Sequence, residues 1–236
     1  MRKLASTKAA KNLSRLAALA ALTSALGCPG SGNAPCDVSS ESALEALAAA
    51  ADLQCDLLIE DTAFTTLNAL TGVRSTPYNV TIRANATLVD ADALTPVTAT
   101  GFYVDGNDLL PSVTFDADGA VGDVVIAENP ALASVSTPNL KKASLWVVRD
   151  SPTESVAAAA LEEVGTLSIA RTDVGSLGFP NLSRVSTLAI SENGDLPAEA
   201  IDALLAQLNE APTTIQRCGN LGDDACPDSD EGEPNP

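Results

Sequence analysis

One pattern constrains this chain more than any other: a strand-like segment that returns seven times at nearly constant spacing. The β-branched residues Ile59, Ile82, Val104, Ile126, Val148, Ile169 and Ile190 succeed one another at steps of 23, 22, 22, 22, 21 and 21 residues. Two positions earlier stands a second apolar column, Leu57, Val80, Phe102, Val124, Trp146, Leu167 and Leu188. Apolar positions two apart make a strand with one face turned inward. A unit of about 22 residues cannot bury that face alone, so its neighbours must stack on it. The expected fold is therefore mainly β: a right-handed parallel β-helix, or solenoid, of about seven coils.

Three positions after each strand comes a small polar column, Thr62, Asn85, Asn107, Asn129, Ser151, Thr172 and Asn193. Asn, Ser and Thr, followed by Pro in Asn129-Pro130 and Ser151-Pro152, are turn residues. Stacked at equal positions, Asn85, Asn107, Asn129 and Asn193 are expected to form an inward ladder that satisfies backbone groups at the bend. A second apolar pair, Leu70-x-x-Val73, Leu94-x-x-Val97, Leu161-x-x-Val164 and Leu182-x-x-Val185, returns the coil to the core.

Open solenoid ends need covers. Ser40-Glu-Ser-Ala-Leu44-Glu-Ala-Leu47, running into an alanine stretch, predicts a front helix with Ser39 or Ser40 as N-cap. Pro197 followed by the Ile201/Leu204/Leu205/Leu208 stripe predicts a helix at the back.

Charge excludes several functions. The 236 residues carry 13 Lys+Arg against 31 Asp+Glu and no histidine, a net charge of −18. So acidic a chain has no footing for nucleic acid, and without histidine there is no Ser-His-Asp or Cys-His catalysis. Aromatics are 3% of the chain, which predicts a thin aliphatic core. No cofactor and no metal is implied.

The first 27 residues hold five basic residues and no acid, then the apolar run Leu16–Leu26. That layout is a signal peptide (1–27); eleven helical residues rise only about 16 Å, short of a bilayer core of ~30 Å. Ala25-Leu26-Gly27-Cys28 resembles the lipobox of bacterial lipoproteins, which implies lipidation at Cys28 and a membrane as partner. Leu26 and Ala25 depart from the residues usual there. Residues 28–35 then read as a lipidated tether, and 227–236 as an acidic disordered tail. With Cys28 on lipid, Cys36, Cys55, Cys218 and Cys226 remain, four cysteines that allow three pairings. The nearest-neighbour one, Cys36–Cys55 and Cys218–Cys226, staples each end, and export permits it.

These coils, the step Phe179-Pro180-Asn181-Leu182-x-x-Val185 into Leu188-x-Ile190-x-x-Asn193, and cysteines at both ends resemble the receptor L-domain family. The resemblance covers roughly residues 36–220 of an expected solenoid domain at 36–226, with departures at Asp116-Ala-Asp118-Gly119 and Ala157–Ala160. It implies a β-helix akin to leucine-rich repeats and non-catalytic binding of a protein ligand. The expected protein is a cell-envelope lipoprotein, anchored to the outer membrane and facing the periplasm or exterior, that recognises an unknown protein or glycan. The alternative is a polysaccharide-binding or polysaccharide-cleaving β-helix.

Between the inward columns runs an outward one, Leu58, Thr81, Tyr103, Val125, Val147, Ser168 and Ala189. Its apolar middle makes Tyr103, Val125 and Val147 the candidate binding residues. The next outward column places Glu60, Arg83 and Asp105 on successive coils, where opposite charges can pair. Asp116-x-Asp118 with Asp123, and Asp90 with Asp92, are acidic turns that lack the rest of a calcium loop.

Overall fold

The structure is a computed structural model, and it describes residues 35–227 other than Asp37, Ser39, Pro96 and Asp118. The expected signal peptide, Cys28, the tether up to residue 34 and the tail from 228 lie outside the described residues. In chain order the elements are helix α1 (Glu41–Ala48), then strands β1 (Leu57–Glu60), β2 (Asn79–Arg83), β3 (Gly101–Asp105), β4 (Ser112–Thr114), β5 (Gly119–Ala127), β6 (Ser134–Ser136), β7 (Leu140–Arg149), β8 (Ser155–Ala157), β9 (Glu163–Ala170), β10 (Leu177–Gly178) and β11 (Arg184–Ser191), and finally helix α2 (Ala198–Gln207) and strand β12 (Thr214–Cys218).

All strand pairs are parallel. One sheet of eight runs β1-β2-β3-β5-β7-β9-β11-β12, and a second of four runs β10-β8-β6-β4. The chain is thus a parallel β-solenoid. Ile59, Ile82, Val104, Ile126, Val148, Ile169 and Ile190 are register partners from rung to rung, and so are Leu57 through Leu188. Every residue of both columns is buried. The seven strands bracket six full turns, one fewer than the seven coils expected, and β12 adds an eighth rung after α2. In the early coils, 3-10 turns (Asn68–Leu70 and Asp92–Leu94) stand where later coils form the second sheet.

The core is one continuous apolar column from Cys36 to Leu204. It is largely aliphatic, yet the few rings are central to it rather than missing from it. Phe102 stacks on Phe115 at 4.0 Å, and Trp146 meets Phe179 edge-on at 5.2 Å.

The polar column is a directional ladder. The Asn85 side-chain amide donates to Ile59 O on the coil before, to Arg83 O on its own coil and to Asn107 Oδ1 on the next (3.0, 2.9 and 3.0 Å). Asn107 repeats this with Ile82 O, Asp105 O and Asn129 Oδ1, and Asn129 Oδ1 also accepts from Asn107 N. Asn193 continues it onto Asn220. The bend itself is left-handed: the residue before each ladder position has positive φ, from Asp61, Ala84 and Gly106 to Glu192 and Gly219. That twist lets the side-chain amide reach the carbonyl two residues back. The left-handed residue's own N–H stays on the sheet ladder, as in Ala84 N to Asp105 O at 2.9 Å.

Both ends are closed as the sequence implies, with differences in detail. Ser40 caps α1, its Oγ accepting from Ala43 N, while Leu44 and Leu47 are buried; the helix stops at Ala48 instead of using the alanine run, and Ala51 turns left-handed. Pro35, the last residue of the expected tether, already bridges Asp56 of the solenoid, and Cys36 N bonds Asp56 O at the expected start of the domain. At the back, α2 buries Ile201 and Leu204, and Gln207 donates to Phe179 O and Leu182 O. Arg217 takes the inward position of the last rung beside Ile190 and pairs with Asp202 and Asp223. An inward charge of this kind blunts an open sheet edge. Disulfides join Cys36 to Cys55 and Cys218 to Cys226, with Cα atoms 5.3 and 4.7 Å apart.

Candidate functional site: the outward face of the long sheet

Parallel register carries outward residues into columns just as it does inward ones. Leu58, Thr81, Tyr103, Val125, Val147, Ser168 and Ala189 are successive partners across the eight-stranded sheet. The structure therefore brings Tyr103, Val125 and Val147 together on adjacent rungs. Tyr103 and Val125 are half-buried, whereas Val147 is only 9% exposed and offers little surface. The apolar centre of the face lies over Tyr103 and Val125.

A shallow groove of about 420 Å³ opens there, lined by Thr81, Arg83, Tyr103, Asp105, Val125 and Glu128 among others. Tyr103 is fixed within it. Its hydroxyl donates to Asp123 Oδ2 at 2.9 Å, one rung onward. Burial, reinforced by the bond to Asp123, pushes its phenol up to about 12, so it stays neutral in water. The ring leans over Gly101, where a Cβ would come within 3.0 Å of Tyr103 Cε2. Any side chain at 101 would press on the ring, which would have to give way; the sequence shows the glycine but not this contact.

The charges flanking the groove are mostly matched. Arg83 pairs with Glu60 at 2.7 Å, as expected, but Asp105 does not join them in a direct ion pair. Arg149 pairs with Asp150, and Arg171 spans Asp150 and Glu192. These guanidiniums hold the Asp150 carboxyl below the usual carboxylate range, the Arg171 hydrogen bond first and burial opposing it. Lys142 and Arg184 both pair with Glu163 across neighbouring rungs, a triad that sequence reading missed. Register alone would have found it, since all three share one outward position.

The acidic turns act within the fold. Asp90 Oδ1 accepts from Asp92 N, Asp116 accepts from Asn139, and Asp123 holds Tyr103; Asp118 lies outside the described residues. Among the described residues no three His, Cys, Asp or Glu side chains converge as metal ligands.

Fold and face define a disulfide-closed parallel β-solenoid with one long, partly apolar sheet surface. Comparison with protein-family models, curated proteins and solved structures finds no match to the chain. The two disulfides fit an oxidising, exported environment. No helix among the described residues is long and apolar enough to cross a membrane.

Proposed function

We propose that this protein is a cell-envelope lipoprotein, held on the outer membrane through lipid on Cys28, whose receptor L-domain-like solenoid binds a partner without catalysis. The observation that carries the binding reading is the in-register pair Tyr103–Val125, half-buried and bordering a groove. An exposed apolar patch rimmed by polar groups is the ordinary mark of an interaction surface. The anchor reading rests on Ala25-Leu26-Gly27-Cys28 after a basic and apolar leader. Acyl chains bury about 0.8 kcal/mol per methylene, so two or three hold a protein stably on a bilayer. The non-catalytic reading rests on the sequence, which has no histidine and few, scattered basic residues.

Two measurements test the proposal separately. Cys28→Ser shifts the protein from the membrane fraction to the soluble one; retention on membranes refutes the anchor. A photo-crosslinking residue at Val125 captures a partner in intact envelopes, while one at Ser134 on the other sheet does not. Equal labelling at both positions, or at neither, refutes the binding face.

A further inference from the structure

The charge balance of the Tyr103 groove specifies what it accepts. Outside the first 27 residues the chain has eight basic side chains, and six of them are ion-paired. Arg83 and Arg149 both line the groove, Arg83 matched by Glu60 and Arg149 by Asp150, which Arg171 shares while also pairing with Glu192. Asp105 and Glu128 line the same groove, both exposed, and neither makes an ion pair among the described residues. Asp123 stands at the far end of the ring, where its carboxylate accepts from the neutral Tyr103 hydroxyl and makes no ion pair among the described residues. With Glu60 and Asp150 already set against the Arg83 and Arg149 guanidiniums, Asp105, Glu128 and Asp123 leave negative charge in surplus beside a fixed, half-buried aromatic ring that leans over Gly101 and borders the groove.

We propose that this groove binds a basic peptide segment of a partner protein, seating an Arg or Lys cation on the Tyr103 ring between Asp105 and Glu128 and an apolar neighbour on Val125. An aromatic face attracts a cation, more strongly where water is partly excluded, and nearby carboxylates add to that attraction. An anionic ligand is repelled by the same surplus. The assignment rests on the binding-face reading above and names the chemistry of the partner.

The test titrates the full chain with penta-arginine amide by calorimetry, with penta-glutamate and the neutral sugar chitohexaose as comparisons. Penta-arginine binds saturably, penta-glutamate does not bind, and raising salt weakens binding. Tyr103→Leu weakens it about fivefold to tenfold. The pair Asp105→Asn/Glu128→Gln weakens it about tenfold, while Glu199→Gln/Glu210→Gln, remote from the groove, changes it less than about twofold. Gly101→Ala provides a second route, displacing the ring with no loss of charge and weakening binding in the same direction. Equal losses from both acid pairs overturn the assignment, because they show attraction to net charge alone; so does full affinity in Tyr103→Leu. Tyr103-dependent binding of chitohexaose without that of penta-arginine also overturns it, yet leaves the face itself standing. Only the crosslinking result at Val125 bears on the face.

Discussion

Replacing Asn129 by Leu removes one step of the ladder and shows what that step is worth. Asn129 is fully buried. Its amide donates to Val104 O at 3.1 Å and Ala127 O at 2.6 Å, and its Oδ1 accepts from Asn107 N and Asn107 Nδ2, both at 3.0 Å. Leucine nearly matches its shape and makes none of these bonds. Asn107 Nδ2 keeps Ile82 O and Asp105 O, so the group left without its partner is the buried backbone N–H of Asn107. An orphaned buried donor costs about 1–3 kcal/mol, and each other lost bond about 0.5–1.5 kcal/mol. Added apolar burial offsets part of this, so the expected loss is about 2–4 kcal/mol. Urea unfolding followed by circular dichroism reads it as a lower midpoint, and hydrogen exchange reads it locally as lost protection at the Asn107 amide. Asn129→Ser, which keeps one acceptor as Ser151 does, falls between. A leucine variant within about 0.5 kcal/mol of the parent, with Asn107 still protected, refutes the ladder as a source of stability.

Other consequences can be measured on the same protein. Since Asp150 titrates below its unfolded value of about 3.9, its ion pairs contribute fully above pH ~4, and that contribution fades as pH falls through the depressed folded value. Melting temperature from pH 7 to 3 therefore falls more in the parent than in Asp150→Asn; parallel curves contradict the pairing with Arg171. Losing the Cys36–Cys55 bridge, which closes a separation of 19 residues, through Cys36→Ser/Cys55→Ser costs roughly 3 kcal/mol, and an unchanged urea midpoint denies it that role. Ala84 sits left-handed at φ 55°, where a Cβ costs about 1–2 kcal/mol. Ala84→Gly is therefore stabilising by about 0.5–1 kcal/mol after its extra chain entropy; a lowered midpoint speaks against strain at the bend.

The inward columns and the Asn ladder were legible because they repeat the same letters at nearly equal steps. Strand β12 was not: Arg217 breaks its apolar column, and the insertion of α2 stretches the step from Ile190 to 27 residues. Asn220, the last ladder residue, was hidden by the same insertion. The left-handed column left almost no trace, since only Gly106 and Gly219 advertise it among residues such as Glu128 and Arg171. The second sheet escaped notice because Ser112–Thr114, Ser134–Ser136 and Ser155–Ala157 are too short to show alternation. One available signal was overlooked. Asn followed three residues later by Leu recurs at Leu88, Leu110, Leu132 and Leu196, all fully buried. At the site, the outward column was legible from parity alone. The near-complete burial of Val147 was not, because exposure on a flat face depends on neighbouring columns.

Cysteine crosslinking measures the register directly. Outward neighbours on adjacent parallel rungs stand about 4.8 Å apart, within disulfide reach, whereas residues two rungs apart exceed about 7 Å. Val125→Cys/Val147→Cys is therefore expected to form a bond under mild oxidation, identified by mass spectrometry, while Val125→Cys/Ser168→Cys stays reduced. Failure of the first pair, or equal bonding in the second, contradicts the stacked arrangement on which the ladder and the binding face both depend.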